Sequence, residues 1–280
     1  LIVTGELEKL GLAQALSRYF SDKIDFDSIP AHGFTSVSCA GRRVFDPEGK
    51  LDPRPSDVEK LVHALYHEYR YPAVRRNRPG HVILVDDLEL ANWRQPQAAV
   101  DYFLSAVEAY LQRPGRDGQV LDPARMNEIR EVLREHCSLH FFCPMPEAYF
   151  FAQGPALDAM RVGLAVQAQV KDGDPEEFTV TDTAYLGAVP DEIRRHHPKE
   201  YLRHLLRTES GTYRETRHGV DALRALSLAD LMAIHGQHAR FLRSLIADLS
   251  LMGGLNVPLG ECHPLTDPRP RRARRTLRNV

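Results

Sequence analysis

The run His81-Val82-Ile83-Leu84-Val85, which meets Asp86-Asp87-Leu88-Glu89 without a break, decides how the rest of the chain is read. Consecutive apolar residues with no polar alternation predict a strand covered on both faces, the habit of parallel sheets. Parallel neighbours need a crossover, usually a helix, and helical periodicity stands on either side of this run. Upstream, Pro47, Gly49, Pro53 and Pro55 mark a loop and Ser56 or Asp57 offers a cap. Val58, Leu61, Val62, Leu65 and Tyr69 then recur at three- and four-residue spacing. Downstream, the spacing predicts helices over 97–111 and 123–135, then a further strand over 138–143. That strand also runs into proline and an acid, Pro144-Met145-Pro146-Glu147.

The first residues repeat the pattern. Leu1–Val3 is a short apolar run that stops at Thr4-Gly5, and Leu7, Leu10, Leu12, Leu16 and Phe20 predict a helix directly after it. Strand, glycine turn and helix open a βαβ unit. Phe34–Cys39 is one more strand candidate. Past residue 152 strand-like runs become rare, and helical patterns dominate over 199–206 and 228–252. The expected architecture is α/β: a parallel sheet flanked by helices over 1–152, a mainly helical C-terminal extension over 153–264, and an arginine-rich tail over 265–280.

Composition narrows the function classes. A formal net charge of −2 over 280 residues gives no global field toward nucleic acid or acidic membranes. No apolar run approaches the roughly 20 residues that span a bilayer, and the N-terminal residues lack the signature of a secretory leader. The chain begins at Leu1, so an initiator methionine is expected upstream. Cys39, Cys137, Cys143 and Cys262 form no CxxC pair, which points to reduced thiols and a cytoplasmic protein.

Ligands of open parallel sheets bind outside the carboxyl ends of the strands, and three predicted strand ends carry acids. They are Glu6 and Glu8 after the first, Asp86, Asp87 and Glu89 after 81–85, and Glu147 after 138–143. Gathered carboxylates repel one another unless a cation compensates them, and hard divalent cations bind through such oxygens. A Mg²⁺ or Mn²⁺ site for phosphoryl transfer is the economical reading. The plainer one is that each acid caps the helix that follows it. Lys199, in His197-Pro198-Lys199, is the cation best suited to a scissile phosphate, although Pro198 also suits the first turn of an ordinary helix. His63 and His67 share a helix face, as His136 and His140 would, but neither pair carries the glutamate of HExxH. A G-x-S-x-G elbow and a P-loop are both absent from the sequence. Arg70, Arg75, Arg76 and Arg78, and in the tail Arg271, Arg272, Arg274 and Arg275, are candidate phosphate contacts. For the tail an acidic protein partner is an equal alternative.

Several of these pieces together resemble a Toprim-like bacterial family related to the overcoming-lysogenization-defect nucleases. They are Gly5 with Glu8, Asp86-Asp-Leu-Glu89, His140-Phe-Phe with Met145 to Ala152, His197-Pro-Lys199, Tyr213-Arg-Glu215, His218-Gly219 and the segment from Phe241. The family's usual glutamate before the loop glycine is Thr4 here, and its Asp-x-Asp is Asp87-x-Glu89. The resemblance implies a metal-dependent nuclease acting on DNA or RNA as the effector of an antiphage or toxin-like system, beside a partner ATPase. Glu8 or Glu6, Asp86, Asp87 and Glu89 would hold the metal, Glu147 would support it, and Lys199 would assist. A homo-oligomer is compatible with this reading. The alternative, which Thr4 favours, is a non-catalytic Toprim-like subunit that docks on the ATPase and regulates it.

Overall fold

A computed structural model describes residues 1–28, 37, 56–72, 77, 79–114, 118, 120–162, 166, 168–170, 173–187, 192–208, 211–260, 262–265 and 275–280. In chain order they form β1 (Ile2–Val3), α1 (Glu6–Tyr19), α2 (Ser56–Arg70), β2 (Val82–Asp87), α3 (Glu89–Asn92), α4 (Pro96–Gln112), α5 (Pro123–His136) and β3 (Cys137–Phe142). There follow α6 (Glu147–Phe150), α7 (Gly154–Ala159), β4 (Ala168–Val170), β5 (Phe178–Val180), α8 (Thr183–Leu186), α9 (Glu192–Arg195), α10 (Pro198–Leu205), α11 (Val220–Ala225), α12 (Leu228–His235) and α13 (Arg240–Met252). Two compact units emerge: Leu1–Thr4, Asp27–Phe141 and His263–Val280 make the first, Gly5–Phe26 and Phe142–Cys262 the second. This division differs from a cut at residue 152. Helix α1 groups with the later helices, and the last residues group with the sheet.

The first unit holds a three-stranded parallel sheet in the order β1-β2-β3, so the α/β reading stands. Ile2 lies opposite Leu84 and Val3 opposite Val85. All six positions of β2 are buried, as a strand covered on both faces requires. Helix α2 packs on β2 and against α4 and α5, burying Val58, Leu61, Val62 and Leu65 as their spacing predicts. Pro96 and Pro123 open α4 and α5 in the first turn, where a missing N–H costs nothing. Asp122 caps α5 by accepting the Arg125 N–H at 2.9 Å. One correction concerns β2. Asp86 and Asp87 are its last two residues rather than the start of a loop. The candidate strand over 34–39 lies outside the described residues except for Val37, which is fully buried.

The last residues of the tail are packed: Leu277, Asn279 and Val280 are buried. Arg278 donates its N–H to the Cys137 carbonyl at 2.8 Å. Asn279 Oδ1 accepts the Leu139 N–H at 3.0 Å, and Asn279 Nδ2 donates to the Leu139 carbonyl at 2.6 Å. One asparagine thus supplies both partners of a buried β3 residue, as a further strand would. Asn279→Ala leaves that N–H and C=O unmet, and the expected cost is about 2 kcal/mol. It would be read as a lower urea midpoint beside a wild-type control; an unchanged midpoint would show that the tail only rests there.

In the second unit α1 packs on α11, and α11 packs on α7. Strands β4 and β5 form an antiparallel pair, with Ala168 opposite Val180 and Val170 opposite Phe178, in a region expected to be mainly helical. Phe178, Val180, Tyr185, Tyr201 and Ala148 make a buried cluster beside it. Among the described residues no helix is long and apolar enough to cross a membrane.

Candidate functional site

In the first unit the acids sit at the end of β2. The β1–β2 register, carried one step on, sets Thr4 beside Asp86 on the same face. The Thr4 hydroxyl donates to Asp86 Oδ1, and the Val37 N–H donates to Asp86 Oδ2 at 2.6 Å. Asp86 is buried, and both of its oxygens accept from the protein. The Thr4 hydroxyl therefore binds an acid at this strand end and adds no further carboxylate to it. Asp87 alternates to the other face of the strand and is nine-tenths buried, at 9% exposure. Glu89 has φ +52°, a left-handed backbone in a non-glycine residue. Such conformations concentrate at functional sites and cost on the order of 1–3 kcal/mol.

The second unit gathers residues from four separate stretches of sequence. Glu147, the first residue of α6, is 1% exposed. It accepts from the Tyr213 hydroxyl at 3.1 Å and lies 3.9 Å from Lys199 Nζ. Lys199 also pairs with Glu215 at 3.2 Å. Its place is fixed by α10: His197 caps that helix, accepting the Glu200 N–H at 3.4 Å, and Pro198 fills the first turn. The helix-start reading of His197-Pro198-Lys199 holds, yet the lysine turns inward to an acid and is not simply solvated. A side-chain Cβ at Gly219 would stand 2.5 Å from the Tyr213 hydroxyl and 3.0 Å from Leu7, so only glycine admits the phenol there. That gives His218-Gly219 its physical meaning.

Glu8 belongs to the same neighbourhood. It is buried, and a Cβ at Gly5 would stand 2.0 Å from its Oε2, so the carboxylate lies folded back over the helix start. That is the position of a capping-box glutamate, favoured by the helix dipole. Its charge also contributes to holding the Tyr213 phenol protonated. The main cause there is burial, followed by Glu147, and the phenol is a permanent donor. Burial raises the Glu147 carboxyl above its ordinary value, while Lys199 and the Tyr213 hydrogen bond oppose the rise. Buried titratable groups held by a specific charge partner mark functional sites as well as structural ones.

The remaining candidates fall elsewhere. Glu6 is surface-exposed and pairs with Lys9 at 3.4 Å. Arg70 pairs with Glu128 at 3.3 Å on the α2–α5 surface. Arg75, Arg76, Arg78, Arg271, Arg272 and Arg274 lie outside the described residues. Arg275 Nη1 donates to the Arg278 carbonyl at 2.9 Å, so its head is turned onto its own chain. His63 lies beside His67 with ring centres 4.4 Å apart, and its Nδ1 meets the Tyr110 hydroxyl at 3.0 Å. Sequence reasoning passed over Tyr213 as a member of the cluster and Glu176 altogether. Glu176 is buried at the start of α13, accepting from the Phe241 N–H at 2.9 Å, the Leu242 N–H at 3.2 Å and the Tyr149 hydroxyl at 2.9 Å. No local pattern announces it.

Among the described residues no group of three or more His, Cys, Asp or Glu side chains is placed to hold a metal ion. Asp86 is engaged by donors, and the Lys199 ammonium beside Glu147 and Glu215 opposes a second cation in that cluster. The donor sets within either unit do not by themselves fit Mg²⁺. Fold and site define an α/β protein with a parallel sheet and a buried carboxylate–lysine–tyrosine cluster. Set against protein-family models, curated proteins and solved structures, the chain matches none of them.

Proposed function

We propose that this chain is a nuclease that hydrolyses phosphodiesters of DNA or RNA, the effector of an antiphage or toxin-like system controlled by a partner ATPase. The observation that carries the reading is the convergence of Glu147, Lys199, Glu215 and Tyr213 on one buried cluster, with Glu8 near it. Each comes from a stretch singled out by the family resemblance. A lysine held by one buried acid, Glu147, and one half-buried acid, Glu215, is a preorganised positive charge, the kind of group that stabilises developing charge on a phosphate. Asp87 and Glu89, in the first unit, are acids that the resemblance alone assigns to the reaction. The Mg²⁺ or Mn²⁺ requirement enters through the resemblance, not through a ligand set in place.

The test is cleavage of labelled plasmid DNA and total tRNA with Mg²⁺ or Mn²⁺, with and without the ATPase encoded beside the gene. Asp87→Ala is expected to abolish cutting, and Lys199→Ala to slow it about a hundredfold. The bond between Thr4 and Asp86 favours a second reading, the non-catalytic subunit docked on the ATPase. Silence in every cleavage reaction, with a changed rate of ATP hydrolysis when the chain is added, would establish that reading and overturn the first.

A further inference from the structure

The second unit carries a basic groove that the cluster above does not use. It encloses about 510 Å³ and is lined by Tyr185, Ile193, Arg194, His197, Glu200, Arg203, His204, Arg207 and Thr212. Among the described residues, three arginines and two histidines of the lining face one acid, Glu200, which is already paired with Arg203. The floor is rigid. Tyr185 and Tyr201 are buried, with ring centres 5.0 Å apart. The Arg194 guanidinium lies 4.4 Å above the Tyr185 ring, and the Tyr185 hydroxyl donates to the Arg194 carbonyl at 3.3 Å. The His204 ring is stacked over Tyr201 at an interplanar angle of 12°. Thr212 Oγ1 ties the far wall to the Arg203 carbonyl at 2.8 Å. Among the described residues a second acid, Asp182, is buried and lies 3.8 Å from His204.

We propose that this groove binds a phosphate-bearing ligand, namely the backbone of a single-stranded nucleic acid. Arginine presents a planar fork of donors that matches phosphate oxygens. Arg203, in the last turn of α10, and Arg207, just past its end, both line the groove, so two such forks face the same space. Ile193, 64% exposed among these cations, offers the apolar contact that a base face seeks. A groove with a fixed cationic rim and an apolar contact is the usual design for binding single strands without sequence preference. The formal charge of −2 hides it, because the cations are local and the acids are spread over the chain.

Binding is measured by fluorescence anisotropy in EDTA with a labelled mixed-sequence oligonucleotide, so cleavage does not enter. Failure here and failure of the nuclease reading are therefore separate results. Arg203→Ala/Arg207→Ala is expected to weaken binding at least about tenfold near 0.1 M salt and to lower the slope of log K against log[salt] by about two. Arg113→Ala, on a surface of the first unit, is expected to change neither. Glu200→Gln removes the groove's acid and is expected to tighten binding severalfold, a gain that misfolding cannot imitate. Equal affinity in all variants, or no binding at all, overturns the proposal. Displacement by AMP or inorganic phosphate at concentrations comparable with the oligonucleotide keeps a phosphate site but overturns the strand as its ligand.

Discussion

Lys199→Met is expected to destabilise the protein by about 2–3 kcal/mol at pH 8 and by much less at pH 5. Glu147 is 1% exposed, and its charge is compensated by the Lys199 ammonium at 3.9 Å and the Tyr213 hydroxyl at 3.1 Å. Without the ammonium, the carboxylate must stay charged with one hydrogen bond or take up a proton. The choice depends on pH. Burial already raises the folded-state value above that of the unfolded chain. The stability tied to this carboxyl is therefore fully present below the unfolded value and is lost as pH rises through the folded one. Removing Lys199 raises the folded value further, so the loss deepens and extends to higher pH. The figure lies below the 3–5 kcal/mol of a fully buried pair, because the lysine side chain keeps 17% exposure.

The companion variant separates charge from packing. Glu147→Gln in the Lys199→Met background keeps an oxygen for the Tyr213 hydroxyl and carries no charge to strand. The double variant should be more stable than the single one at pH 8 and lose the added pH dependence. Thermal unfolding at pH 5 and pH 8 reads both. Equal losses for Lys199→Met at the two pH values would show that methylene packing, not the ion pair, holds the site together.

What was legible in the sequence follows the length and continuity of each signal. Val82 to Val85 was readable because an unbroken apolar run stands between turn residues and amphipathic helices, and Leu139 to Phe142 because His140 alone interrupts a strongly apolar one. Strands β4 and β5 were missed because each is three residues long. A three-residue run gives no period to count. The end of β2 was misplaced by two residues, because aspartate in a strand contradicts its propensity. Here Thr4 and Val37 supply the donors that permit it. The tail was read by composition as an arginine-rich segment for an acidic partner, and the contact of Asn279 with Leu139 across 140 residues of sequence is one that no local window contains. The site shows the same divide. Glu147 and Lys199 were picked out by residue type and neighbours, but their meeting at Tyr213, 66 residues from Glu147, is a property of the fold alone.

Glu176 is expected to give the protein a pronounced dependence of stability on pH. Burial, reinforced by the neighbouring Asp174, pushes its carboxyl up to about 8. The N–H groups of Phe241 and Leu242 and the Tyr149 hydroxyl oppose that rise without cancelling it. The unfolded chain gives up this proton near 4.5. Between those values the folded state binds more protons, so stability falls as pH rises from about 5 to about 8 and levels off above. Moving one carboxyl that far is worth about 5 kcal/mol. Glu176→Gln removes the titration but retains the oxygen that accepts from the start of α13. Variant and wild type are expected to melt alike at pH 5, with the variant more stable by about 4 kcal/mol at pH 9. Glu176→Leu removes the acceptor as well and should be destabilised at every pH, because the Phe241 and Leu242 N–H groups are then left buried. Parallel melting curves for wild type and Glu176→Gln from pH 5 to 9 would mean that the carboxylate stays charged, with the start of α13 supplying the compensation. In that case the helix end is an anion site strong enough to overcome burial, and Glu176 is its permanent ligand.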